Sequence, residues 1–431
     1  MISWRFPRSL LLVAVPLVAA VAACSEKLET SGTCPLLCPG QGIVVQDSAV
    51  QPAYAFDTVL TGFPLQGLES PLLLAQFGDT FDVRAVVRFD TLVRQWVPLD
   101  GDTLEAITYV DSAFLSLRLY SGGAPIPQQF FVEAFDVFDS TLVDSIPQNL
   151  LPLFTDERLL GALRTDSASF VDSSRVRIPL DDAKLLAIIG NVDHKLRIGL
   201  RVRSGSGVRL LMTPYFPGGD GPALEYRVSP DTLVRRVAGL EPASLTPAFP
   251  LFVAGDYVDY SLVAAAPDIS RAGTFRVGGL PGARTYLRFE LPLWLTDSVG
   301  ILRAQLELTQ DPVYGVDQDS TSLVAHLVLA NNTITDLRRA ATLLAGGNLF
   351  NNTLRLLPAD SGVQVLEMNS LLRQWASVSG NADIPAALLL RSGGEGATAG
   401  GLRFFGQNAA DPALRPRLRV SYTRNQVFGR P

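Results

Sequence analysis

Apolar residues and arginines alternate along Leu196-Arg197-Ile198-Gly199-Leu200-Arg201-Val202-Arg203, so an extended chain here has one greasy face and one cationic face. The pattern predicts a strand with its apolar side in a core and its arginines in water. Leu414-Arg415-Pro416-Arg417-Leu418-Arg419-Val420 repeats it, with Pro416 acceptable only near a strand start or an edge. Many such segments, separated by clusters of Gly, Pro, Asp and Ser, predict an all-β chain of sandwich type with short helical insertions.

The segments recur in order. Val86-Val87-Arg88-Phe89-Asp90 is echoed 200 residues later by Tyr286-Leu287-Arg288-Phe289-Glu290, and Ala113-Phe114-Leu115-Ser116-Leu117 by Ala304-Gln305-Leu306-Glu307-Leu308. The apolar runs Phe130 to Phe135 and Leu323 to Leu329 follow, then segments expected to be helical that open with Phe154-Thr155-Asp156 and Ile334-Thr335-Asp336. Val176-Arg177-Ile178 with Leu185-Leu186 corresponds to Val363-Gln364-Val365 with Leu371-Leu372, and Pro222 to Tyr226 corresponds to Pro416 to Val420. A constant order at offsets of 180 to 200 residues indicates an internal duplication. The expected organisation is two tandem jelly-roll β-sandwiches, over 44–230 and 231–424, with a short tail at 425–431.

In the second copy, Tyr286 to Phe289, Ala304 to Leu308, Leu372 to Trp375, Leu388 to Ser392, Phe404-Phe405 and Pro416 to Tyr422 form an ordered set. This set resembles the DNRLRE-type jelly-roll modules of secreted bacterial proteins, which are related to carbohydrate-binding modules. The motif that names that family is absent; Val258-Asp259-Tyr260-Ser261-Leu262-Val263 stands where it would fall. The resemblance implies a jelly-roll fold and, through the related modules, carbohydrate as a ligand class. It also places Trp375 at a family position, where core packing is its ordinary job.

The first 23 residues read differently. Arg5 and Arg8 precede an apolar stretch from Leu10 to Ala20, and Val21-Ala22-Ala23-Cys24 closes it with small residues and a cysteine. This matches a bacterial lipoprotein signal over 1–23, with Cys24 as the lipid-bearing residue. The stretch is too short to span a bilayer. Each buried methylene of a lipid chain contributes about 0.8 kcal/mol, so two or three chains, palmitate among them, anchor a protein stably. Ser25 in place of an acid after the cysteine favours the outer membrane by the sorting rules such lipoproteins follow. Residues 24–43 form a tether in which Cys34 and Cys38 are spaced for a small disulfide loop.

Composition narrows the partners. With 36 basic and 42 acidic residues the formal charge is −6, and it becomes −8 once Arg5 and Arg8 leave with the signal. A nucleic-acid partner is disfavoured, because phosphate binding needs a basic face. The expected partners are the membrane, through the anchor, and a polysaccharide or envelope protein.

Chemistry is sparse. The chain has two histidines, His194 and His326, both in strand-like runs and neither beside a nucleophile-elbow pattern. No cofactor is expected. The oxygen-rich loops holding Asp136, Asp139 and Asp144, and Asp311, Asp317 and Asp319, are of a kind that holds calcium, with Asp317 and Asp319 the candidates. Without the calcium-loop spacing and its glycine, solvated carboxylates are the ordinary reading. Aromatic candidates for a sugar face are Tyr314, Trp375, Trp96 and Tyr215. The expected function is a non-enzymatic, envelope-anchored binding or structural module; the alternative is a carboxylate-based polysaccharide-degrading enzyme.

Overall fold

The structure, a computed structural model, describes residues 44–51, 53–54, 56–90, 92–97, 103–193, 195–215, 220–228, 237–240, 259–297, 299–315, 318–328, 351–377 and 386–424. The fold is all-β, two jelly-roll β-sandwiches with short helical insertions. Cys24, Cys34, Cys38, His194, Asp317 and the segment Ile334-Thr335-Asp336 lie outside the described residues.

The chain opens with β1 (Val45–Val50) and β2 (Phe56–Phe63). A first series follows: β3 (Leu72–Phe77), β4 (Phe81–Phe89), the two-residue strands β5 (Gln95–Trp96) and β6 (Glu105–Ala106), β7 (Asp111–Tyr120), β8 (Phe130–Asp136), β9 (Leu159–Thr165) and β10 (Ser174–Pro179). Helix α1 (Asp182–Gly190) leads to β11 (Leu196–Arg203), β12 (Val208–Met212) and β13 (Ala223–Arg227). After β14 (Val237–Leu240) and β15 (Asp259–Ala265), the second series runs through β16 (Thr274–Gly278), β17 (Gly282–Arg288), α2 (Leu293–Asp297), β18 (Val299–Gln310), β19 (Thr321–Leu327), β20 (Asn351–Leu356) and β21 (Gly362–Glu367). Helix α3 (Asn369–Ser377), β22 (Ala387–Ser392), β23 (Gly401–Phe405) and β24 (Arg417–Arg424) complete it.

The two large sheets have the same strand order. One reads β14-β13-β7-β12-β3-β4-β11-β8-β9, with β10 on β7 and β15 on β4; the other reads β1-β24-β18-β23-β16-β17-β22-β19-β20, with β21 on β18 and β2 on β17. Each strand of one sheet thus has its counterpart at the same place in the other. The leading pair of each copy, however, is exchanged. β1 and β2 precede the first series yet pair with β24 and β17 of the second, while β14 and β15 precede the second series yet pair with β13 and β4 of the first. The division expected between 230 and 231 therefore does not follow the sheets: β1 and β2 belong to the second sandwich and β14 and β15 to the first. Alternation specifies which face of a strand is buried, not which neighbour its backbone bonds.

Each sandwich has its own core. Leu74, Val87, Leu115, Ile198 and Leu224 are among those filling the first, and Leu287, Leu306, Leu388, Leu402 and Val420 among those filling the second. β3 shows why its apolar run lacks alternation. Leu72 and Leu74 enter the first core, whereas Leu73 and Ala75 face a separate apolar seam with Val83, Leu211 and, from the second series, Leu280. Both faces of this strand are dry.

Helix α1 is capped by Asp181, whose carboxylate accepts the backbone N–H of Lys184 at 3.0 Å. The segment around Thr155 is instead a pair of 3-10 turns, Pro147–Leu153 and Asp156–Arg158, and the Thr155 hydroxyl makes no cap bond. Arginines of β11 also depart from expectation. Arg197 is buried, because residues 137–158 lie over that face of the sheet, and its charge is met by the buried Asp144.

Candidate functional site

Where the two sandwiches meet, a cleft of about 270 Å³ opens. Phe77 and Phe81 come from the hairpin between β3 and β4, in which they sit directly opposite one another. Gly78 adopts φ +57° in that turn, a left-handed conformation that glycine supplies without steric cost. The two rings lie 6.0 Å apart with planes 27° from parallel. The turn between β11 and β12 supports them. A Cβ on Gly207 would stand 2.2 Å from Cδ1 of Phe77, so only glycine leaves room for this ring. The loop Ala124-Pro125-Ile126-Pro127 also lines the cleft.

The polar side comes from both series. Arg209 of β12 donates from Nη1 to Oδ2 of Asp319 at 2.6 Å, joining the first sandwich to the segment that leads into β19. Gln318 beside it donates from Nε2 to the carbonyls of Val313 and Gly315. A phenyl surface thus shares a cleft with an arginine, a carboxylate and an amide. Such a combination can cover the C–H face of a small polar molecule and satisfy its hydroxyls.

The sequence candidates do not converge. Tyr314 is 78 % exposed on the turn before Gln318, outside the cleft lining. Tyr215 is half-buried and its backbone N–H donates to Asp259 Oδ2 at 2.6 Å. Trp96 packs against the first core from the β5–β6 pair. Trp375 is 5 % exposed, with its ring 5.2 Å from that of Phe289. Helix α3 turns Leu371, Leu372 and Trp375 into the second core, so Trp375 offers no open face to a ligand.

Asp319 accepts from Arg209, while its calcium co-candidate Asp317 lies outside the described residues. Among the described residues no group of three or more His, Cys, Asp or Glu side chains is arranged to hold a metal. The first acidic loop also separates. Asp144 is buried and takes Arg88 Nη1 at 2.9 Å, Arg197 Nε at 3.1 Å and the Tyr260 hydroxyl at 2.5 Å. Asp136 accepts the backbone N–H of Phe138, and Asp139 caps Thr141 in its own turn.

Two carboxylates went unnoticed in the sequence. Glu69 and Asp259 are 8 % and 5 % exposed, and burial is the main reason that each is pushed up to about 7. Glu69 accepts the backbone N–H groups of Gly67 at 2.6 Å and of Ser261 at 3.1 Å, tying the segment after β2 to the exchanged β15. Their raised protonation belongs to the junction between the copies. Neither lines the cleft.

No family model matches the chain, and no curated protein matches it. Solved structures that align with it include the T13 viral particle of infectious bursal disease virus, at 11 % identity over 89 % of this chain and 74 % of that one, with a TM-score of 0.16. The VP2 subviral particle of the same virus aligns at 11 % identity over 88 % and 76 %, with a TM-score of 0.09. Scores this low carry no argument. The all-β class rests on the hydrogen-bonded ladders of the chain itself.

Proposed function

We propose that this chain is a lipid-anchored, non-enzymatic module of a bacterial outer membrane that binds polysaccharide in the cleft between its two sandwiches. The observation that carries the reading is the pairing of Phe77 with the Arg209–Asp319 ion pair across the junction. Glycan recognition combines an apolar face for ring C–H groups with fixed polar groups for hydroxyls, and this cleft has both. The exchanged strands support it further, since a cleft between interlocked bodies keeps its shape at little entropic cost on binding. The lipoprotein-like segment ending at Cys24 supports the anchor.

Two measurements test the two halves of the reading. Cells expressing the full chain should incorporate labelled palmitate into it, and Cys24→Ser should abolish the labelling; label retained by the variant contradicts the anchor. The purified full chain should be retained on immobilised envelope or matrix polysaccharide, with retention reduced at least tenfold by Phe77→Ala. Equal retention of the variant, or none by the parent on any glycan, contradicts the cleft.

A further inference from the structure

The ladders of the two sheets align the copies residue by residue. Leu200 lies opposite Ala85 and Ala134, and Leu390 lies opposite Thr285 and Ala325. Arg201 and Arg391 consequently hold equivalent places, as do Glu133 and Val324, and Phe135 and His326. In the first copy Glu133, 5 % exposed, neutralises Arg201 at 2.7 Å and Arg203 at 2.8 Å. In the second copy a valine stands where that carboxylate would be.

Arg391 has only neutral acceptors in its place. Its Nε donates to Nε2 of the buried His326 at 2.9 Å, and its Nη1 to the Ser392 carbonyl at 3.3 Å. A ring nitrogen that accepts carries no proton, so His326 adds no charge through that atom. The carboxylate nearby, Glu395, is held in a fork by Arg284, at 2.8 Å from Nε and 2.7 Å from Nη2. The guanidinium of Arg284 lies 3.9 Å from the centroid of the Phe63 ring.

These groups line one cavity of about 400 Å³ in the second sandwich, together with Leu65, Leu68 and Ser70 of the segment after β2. Among the described lining residues two arginines and one glutamate give a net charge of +1. Burial draws Arg391 below the ordinary guanidinium range, against the pull of Glu395, whose charge Arg284 already shares. An anion entering the cavity relieves that cost.

We propose that this cavity binds a hydroxylated monocarboxylate of about one sugar residue, a uronate, with its carboxylate on Arg391 and its C–H face on Leu65 and Leu68. One negative charge matches the surplus, the volume suits one ring, and Ser70 suits a hydroxyl. The site is separate from the inter-sandwich cleft, and its test is independent of that reading.

The probe is glucuronate, titrated into the full chain with labelled histidine rings. The chain has two histidines, so His194→Gln identifies the His326 signal. Glucuronate at roughly 10 mM should shift the His326 signal and leave His194 in place. Its neutral methyl ester should bind at least tenfold more weakly, and so should propionate, which has the charge without the hydroxyls. Arg391→Gln should weaken glucuronate binding at least tenfold. A His326 signal that ignores glucuronate, or an ester or propionate that binds equally well, overturns the proposal, and these comparisons use the unaltered arginine should Arg391→Gln fail to fold.

Discussion

Asp259 lies directly opposite Val87 in the first sheet, although 172 residues separate them and Asp259 belongs by sequence to the second copy. Tyr260 and Leu262 of the same strand are buried against the first sandwich. Leu262→Ala should therefore destabilise that sandwich by about 2–5 kcal/mol, the usual range for emptying a fully buried leucine site. Denaturant unfolding measures the loss. A change below about 1 kcal/mol would mean that β15 is a loosely applied edge.

The Arg209–Asp319 pair crosses the junction with unequal exposure: 10 % for the arginine side chain and 57 % for the aspartate. Solvent screens such a pair. Asp319→Asn should cost at most about 1 kcal/mol, and less at high salt. Urea unfolding at two ionic strengths checks this, and a loss above about 3 kcal/mol would show that the pair is desolvated.

Glu69 and Asp259 make the protein sensitive to pH near neutrality. Both carboxyls bind a proton more tightly when folded, up to about 7, because burial penalises their charge. The folded state then holds more protons than the unfolded one between the two sets of values. Stability from this source is complete below the unfolded values, falls as pH rises, and is lost once pH passes about 7. For Glu69 the span corresponds to a cost on the order of 3 kcal/mol at alkaline pH. Melting temperature should rise on going from about pH 8 to about pH 5, and Glu69→Gln should flatten much of the slope. A melting temperature that climbs with pH across that interval would contradict this.

Part of this was legible in the sequence because it is local. Val176 to Ile178 and Val363 to Val365 announce β10 and β21, and each is followed by its helix, α1 and α3. Pro416 marks the residue before β24, as a proline unable to join a ladder should. What escaped was relational. β1 alternates in the same manner whichever sheet receives it, so its exchange leaves no trace in periodicity. Phe77 and Phe81 meet only because a hairpin folds them together, and Arg209 finds Asp319 only across the junction. Trp375 matched a family position, and its surroundings gave it to the core. The contrast between Glu133 and Val324 was invisible until the ladders aligned Arg201 with Arg391.

Hydrogen exchange on the chain lacking residues 44–63 decides whether the copies are interlocked. Without β1 and β2, protection should fall in β17 and β24 of the second sandwich, the strands they pair with, while β4 and β13 of the first stay protected. Loss of protection in β4 and β13 with β17 and β24 untouched would mean that each sandwich is built from its own contiguous stretch of chain.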